Sequence, residues 1–100
     1  MTIPPDEREA LLTLARQAVA AAVKGQSPPK PAEPDGVLGE TRGCFVTLRN
    51  GANLRGCIGT FTPEAPLGKT IVEMAVAAAM HDPRFAGNRI TPDELDDVSV

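Results

Sequence analysis

The most reactive groups in this sequence are two cysteines, Cys44 and Cys57, and one histidine, His81. Cys57 lies within Leu54-Arg55-Gly56-Cys57-Ile58-Gly59-Thr60-Phe61. Read as a strand, this run puts Arg55 and Cys57 on one face and Leu54, Gly56 and Ile58 on the other. A guanidinium beside a thiol favours the thiolate, the form that attacks electrophiles and binds metals. Gly56 and Gly59 remove Cβ atoms on either side of the cysteine and permit close approach of a ligand or another backbone. In this reading Cys57 is a nucleophile or redox thiol, and Arg55 orients an anionic substrate. The structural alternative uses the same residues. Cysteine is among the most buried residue types and often serves as a small apolar filler. Strand glycines mark bulges or tight packing, and Arg55 then pairs with Asp82 or another acid. No histidine–acid pair supports Cys57 as a nucleophile, because His81 falls at the end of a helical pattern, where its charge suits the helix dipole.

A second cluster of interest is Asp82-Pro83-Arg84-Phe85. Phe85 can anchor this loop while Asp82 caps its backbone and Arg84 pairs with an acid. Alternatively, Arg84 joins Arg55 as the basic wall of a cleft for a phosphate- or carboxylate-bearing ligand. The candidate ligand-binding residues are therefore Arg55, Gly56, Gly59, Thr60, Asp82 and Arg84, with Cys57 the candidate catalytic residue. Two cysteines and one histidine are too few for a structural zinc site, and no metal or cofactor is expected.

Bulk properties narrow the partners. Ten Lys and Arg against thirteen Asp and Glu give a net charge of −3, and the basic residues are scattered singly. Phosphate neutralisation drives nucleic-acid binding, so a nucleic-acid partner is not expected. No apolar run approaches the ~20 residues that cross a bilayer, and the acidic start MTIPPDEREALL lacks the basic region of a signal peptide. The chain is expected to be cytoplasmic, with both cysteines as free thiols.

The elements that must position these groups follow from spacing. Leu11, Leu14, Ala15, Ala18, Val19 and Ala22 recur at helical intervals, predicting a helix over residues 6–24 that ends at Gly25. QSPPKPAEPDG, with four prolines, reads as an extended surface connector. CFVTLR and ANLRGCIGTF are β-rich runs on either side of Asn50-Gly51, a hairpin signal. With Asn50-Gly51 as the loop, Cys44 faces Cys57 and Val46 faces Arg55; a bulge at Ala52 destroys that pairing. A second helix is predicted over 67–81, with Leu67, Ile71, Met74, Ala75 and Ala78 as its apolar stripe and Asp82-Pro83 as its end. Thr91-Pro92-Asp93-Glu94-Leu95 reads as a short capped turn of helix, with Thr91 as N-cap and Glu94 at its third position. Ser99-Val100 reads as the start of another strand.

The block Leu54 to Phe61 resembles the signature region of the AMMECR1 family, read there as RGCIGT. Phe45-Val46-Thr47-Leu48 before it, Pro66-Leu67 after it, Ala78-Ala79 leading into Asp82-Pro83-Arg84-Phe85, and the closing Thr91–Leu95 and Val98-Ser99-Val100 are similar to the family pattern as well. The resemblance implies an α+β fold with a cleft near the signature strand. It also implies company, since the family is associated with Memo-like and radical-SAM proteins. The family domain continues past the point matching Val100, so residues 1–100 read as a single AMMECR1-like domain, incomplete at its C-terminus.

The expected architecture is α+β: an antiparallel hairpin or partial sheet with two main helices packed on one face. The expected function is a binding or scaffold module that acts with Memo-like and radical-SAM partners through the LRGCIGTF strand. An enzyme or enzyme subunit built on Cys57 and Arg55 is the alternative. A small anionic ligand and homo-oligomerisation through an uncovered sheet edge are further expectations.

Overall fold

The computed structural model describes residues 4–30 and 39–100. The order of elements is helix α1 (Pro5–Val23), strands β1 (Cys44–Asn50) and β2 (Asn53–Thr60), helix α2 (Leu67–Met80), two short 3-10 turns (Pro83–Phe85 and Pro92–Asp97), and strand β3 (Val98–Ser99). The expected proline-rich connector falls largely outside the described residues.

α1 starts with Pro5 in its first turn, where a missing N–H costs nothing, followed by Asp6 and Glu7 at the positive end of the dipole. It stops at Gly25, which adopts φ +71°. The N–H of Gln26 donates to the carbonyl of Ala21 at 2.8 Å and that of Gly25 to Ala22 at 3.2 Å. This crossed pair is a left-handed glycine cap, and it satisfies carbonyls that would otherwise be orphaned. α2 is anchored at its start by Leu67, whose N–H donates to the carbonyl of Glu40 at 2.7 Å.

The three strands form an antiparallel sheet in the order β2-β1-β3. The β1–β2 register differs from the expected one. Cys44 pairs with Thr60, Val46 with Ile58, Thr47 with Cys57 and Leu48 with Gly56; the ladder then shifts so that Arg49 pairs with Leu54 and Asn50 with Asn53. Two causes act together. The loop is Gly51-Ala52, not Asn50-Gly51, and only Gly51 has positive φ, at +60°, which suits a two-residue loop needing glycine at its first central position. A bulge then leaves Arg55 with no residue opposite it. Cys44 and Cys57 therefore do not face one another, and both are free thiols.

Val46, Leu48, Gly56 and Ile58 share one face of the sheet, and α2 lies on that face. Gly56 makes the approach possible, because a Cβ there would overlap the carbonyl oxygen of Ala78. α2 is buried on two sides, so Val72 and Ala79 join the expected stripe in the core. Its alanines let α1 come close through Ala15, Ala18 and Val19. Helix α1, helix α2 and the sheet form one core containing Leu14, Leu48, Leu67, Ile71 and Ile90. The result is the expected α+β architecture. No helix of the described residues is long and apolar enough to cross a membrane.

Candidate functional site

The face of the hairpin turned away from α2 carries Phe45, Thr47, Cys57 and Gly59, as the paired register requires. On this face the Cys57 thiol lies 3.4 Å from the hydroxyl of Thr47, its cross-strand partner. Beyond β2, the turn that ends α2 brings Asp82 against the strand. Asp82 is only 1% exposed, and a carboxylate buried so deeply must be fully hydrogen-bonded. Its Oδ2 accepts from the backbone N–H of Cys57 at 3.0 Å and from Nη2 of Arg84 at 2.7 Å. Its Oδ1 accepts from the backbone N–H and Nε of Arg84 at 3.1 and 3.0 Å. The hydrogen bonds from the Arg84 side chain, joined by the backbone bonds, hold the Asp82 carboxyl far below the usual carboxylate range despite burial.

Asp82 caps the loop and Arg84 pairs with an acid, as the structural reading holds, and the pair also seals an edge. Arg84 Nη2 donates to the carbonyl of Cys57 at 3.1 Å, so the two side chains satisfy both backbone groups that Cys57 turns outward. Arg89 adds a 2.7 Å bond to the carbonyl of Asp82. The guanidinium associated with Cys57 is thus that of Arg84, whose charge is favoured chiefly by Asp82 and further by the Cys57 side chain.

Arg55 goes elsewhere. Displaced by the bulge, it forms a two-pronged ion pair with Glu94, Nε to Oε2 at 2.6 Å and Nη2 to Oε1 at 3.0 Å. Asn50 Nδ2 donates to the same Oε2 at 3.2 Å. The bonds from Arg55 and Asn50 depress the Glu94 carboxyl, while Glu94 raises the Arg55 guanidinium. The expected capping at Thr91 forms in part: the Thr91 side chain makes no cap bond, while the Glu94 carboxylate, held chiefly by Arg55, is also stabilised by the Thr91 backbone. Glu94 is the site residue that sequence reasoning missed, since an acid at the third position of a turn already has a local explanation. Phe85 lies within reach of both guanidiniums, with Arg55 and Arg84 carbons 5.9 and 5.7 Å from its ring centroid.

The glycines and Thr60 are accounted for separately. The space beside Gly56 is filled by α2, and that beside Gly59 by the Phe45 ring, which lies across the strand. Phe45 meets Phe61 edge-on, centroids 4.9 Å apart, yet Phe45 is 53% exposed and Phe61 86%. Thr60 shares the face of Cys44 and Ile58, not that of Cys57. It lines a polar hollow of about 340 Å³ with Lys69 and Glu73. Cys57, Asp82 and Arg84 therefore form one cluster and Arg55 and Glu94 a second, while Thr60 belongs to neither. His81 is exposed at the end of α2. Among the described residues no three His, Cys, Asp or Glu side chains are grouped so as to hold a metal ion.

A larger and more apolar cleft of about 470 Å³ lies on the other side of β1, between Leu11, Leu12 and Ala15 of α1, Val46 of β1 and Ile71 of α2. Cys44 borders it, and burial pushes the Cys44 thiol up.

Comparison with known proteins places this arrangement. A protein of Methanothermobacter thermautotrophicus is 41% identical over 96 residues, covering 95% of this chain and 49% of that relative. A protein of Thermotoga maritima is 45% identical over 74 residues, covering 72% of this chain and 41% of its own length. The crystal structure of an uncharacterised protein from Pyrococcus horikoshii superposes with a TM-score of 0.84 at 33% identity, over 96% of this chain and 49% of the other. The chain spans about half the length of the relatives it matches. The AMMECR1 family model matches residues 12–100, so the chain belongs to the AMMECR1 family.

Proposed function

We infer that this chain is a protein-binding module whose docking surface is the face of the β1–β2 hairpin turned away from α2, centred on Phe45 and Phe61. The observation that carries the reading is the exposed Phe45–Phe61 pair at the end of the LRGCIGTF strand. Aromatic side chains that expose large area while holding fixed geometry are typical interface anchors. The ionic groups around them are already matched internally, Arg55 by Glu94 and Arg84 by Asp82. They shape the surface, and neither ion pair leaves its carboxylate free to act as a base toward Cys57. The partners that family membership suggests are a Memo-like protein and a radical-SAM protein.

The test is a titration against purified Memo-like and radical-SAM proteins. Phe61→Ser is expected to weaken binding at least tenfold, the scale of a modest interface anchor, while Cys57→Ser leaves it unchanged. Equal affinity of the wild type and Phe61→Ser contradicts the reading.

One observation favours the enzymatic alternative: the Arg84 guanidinium is held beside the half-buried Cys57, donating to its carbonyl at 3.1 Å. In that case Arg84, not Arg55, orients the anionic substrate, and Cys57 is alkylated rapidly near neutral pH. Slow alkylation excludes it.

A further inference from the structure

The hairpin face that carries the aromatic pair also carries charge of one sign. The strands read CFVTLRN and NLRGCIGT, with arginines and no acid. Side chains alternate across β1, so Phe45, Thr47 and Arg49 share the outer face, while Val46 and Leu48 are buried on the other. Arg49 is exposed and takes part in no ion pair among the described residues. It stands four residues from Phe45, roughly 13 Å along an extended strand. Arg84 lies between these two levels, beside the Thr47–Cys57 pair. Its Nε and Nη2 donate to Asp82 at 3.0 and 2.7 Å, and Nη2 donates again to the Cys57 carbonyl at 3.1 Å. Both N–H groups of Nη1 are left without an acceptor among the described residues. The Arg84 side chain is 55% exposed and that of Asp82 1%. An approaching molecule therefore meets the guanidinium and not the carboxylate that fixes it. A guanidinium already held in place gives up little freedom on meeting a second acid.

We propose that the occupant of this face is an acidic segment of a partner protein, with an apolar or aromatic side chain seated on Phe45 and Phe61 and carboxylates meeting Arg84 and Arg49. The proposal rests on the docking reading above and names the chemistry of its partner. Charge complementarity carries it. The aromatic pair supplies contact area, and the two guanidiniums beyond it select the sign of the partner and its register. The order of features along the sheet sets the order in the segment. Laid extended along β1, it places its acids about two and four residues from its apolar anchor. The chain's net charge of −3 favours such a short segment over a nucleic acid, whose binding relies on many cations neutralising phosphates.

Two peptides, Ser-Phe-Ser-Glu-Ser-Glu-Ser and Ser-Phe-Ser-Lys-Ser-Lys-Ser, titrated into the isotope-labelled chain and followed by NMR, separate recognition of acids from docking itself. The glutamate peptide is expected to shift the amides of Phe45, Thr47 and Arg49 and the Nε–H of Arg84. It is expected to bind roughly tenfold more tightly than the lysine peptide, an advantage that added salt erodes. Arg84→Lys is expected to weaken the glutamate peptide, but it also loosens the Asp82 cap. Arg49→Glu avoids that difficulty, because Arg49 is exposed: it is expected to weaken the glutamate peptide about fivefold and leave Tm unchanged. Equal affinity of the two peptides at these amides overturns the acidic partner and leaves the docking face standing. Phe61→Ser without effect on either peptide removes the docking face itself. Absence of shifts at these amides with millimolar glutamate peptide overturns the proposal. So does a single-stranded oligonucleotide that binds the same amides more tightly, because it assigns the face to nucleic acid.

Discussion

On the outer side of β2, the Cys57 N–H donates to Asp82 and the Cys57 C=O accepts from Arg84. On the outer side of β1, Phe45 and Thr47 turn the same groups toward an edge that no described strand covers. One hairpin thus has one edge closed by side chains and one left open beside an apolar cleft. Closing an edge this way requires burying a carboxylate, which is tolerable only because the Arg84 guanidinium and two backbone N–H groups compensate its desolvation. An open edge of this kind is a pairing template that proteins ordinarily blunt or cover. The difference separates the parts of the molecule that hold it together from the parts free to meet something else.

The largest effect expected is from Asp82→Ala, which removes the closed edge and leaves Arg84 and the Cys57 N–H without their acceptor. Thermal melting is expected to show a loss of more than ~10 °C, in keeping with removal of one partner from a buried, hydrogen-bonded pair. A Tm within ~2 °C of wild type would mean that the edge closes without its cap.

Acid titration probes the same closure without mutation. Asp82 and Glu94 both have folded pKa values below their ordinary 3.8 and 4.5. A carboxylate depressed in the folded state stabilises the fold fully above its unfolded pKa, and that contribution is lost as pH falls toward the folded value. Tm is therefore expected to be flat from about pH 7 to 5 and to fall below about pH 4.5. Asp82→Asn and Glu94→Gln should each flatten that acid limb. A limb unchanged in both variants contradicts the assignment.

Much of this arrangement was legible in the sequence. The helices were found within one residue at each end, because Pro5, Gly25 and the 3.6-residue spacing of Leu14, Ala18 and their neighbours all act locally. The hairpin was legible from Asn50-Gly51, but its register was not. A loop centred on Gly51-Ala52 also satisfies the glycine, and the bulge that frees Arg55 leaves no local mark. That slip moved Cys44 away from Cys57 and sent Arg55 to Glu94, while Arg84 took the place beside the thiol. The Arg55–Glu94 and Arg84–Cys57 contacts join residues distant in sequence, which spacing rules cannot reach.

Smaller effects sharpen the contrast. Glu94→Gln should cost about 1 kcal/mol by denaturant unfolding, because this partly exposed pair is screened by solvent. No loss at all would make the Arg55–Glu94 pair incidental. Phe61→Ser should change stability by less than ~0.5 kcal/mol, since a side chain so exposed gives little to the fold. A larger loss would move Phe61 from the docking surface into the structural core.

Hydrogen exchange at three amides tests the central claim most directly. The Cys57 N–H, bonded to buried Asp82, is expected to exchange as slowly as the interior ladder of the sheet, while the Phe45 and Thr47 N–H groups, on the other edge of the same hairpin, exchange nearly unprotected. Equal protection of all three in the isolated chain would contradict the account.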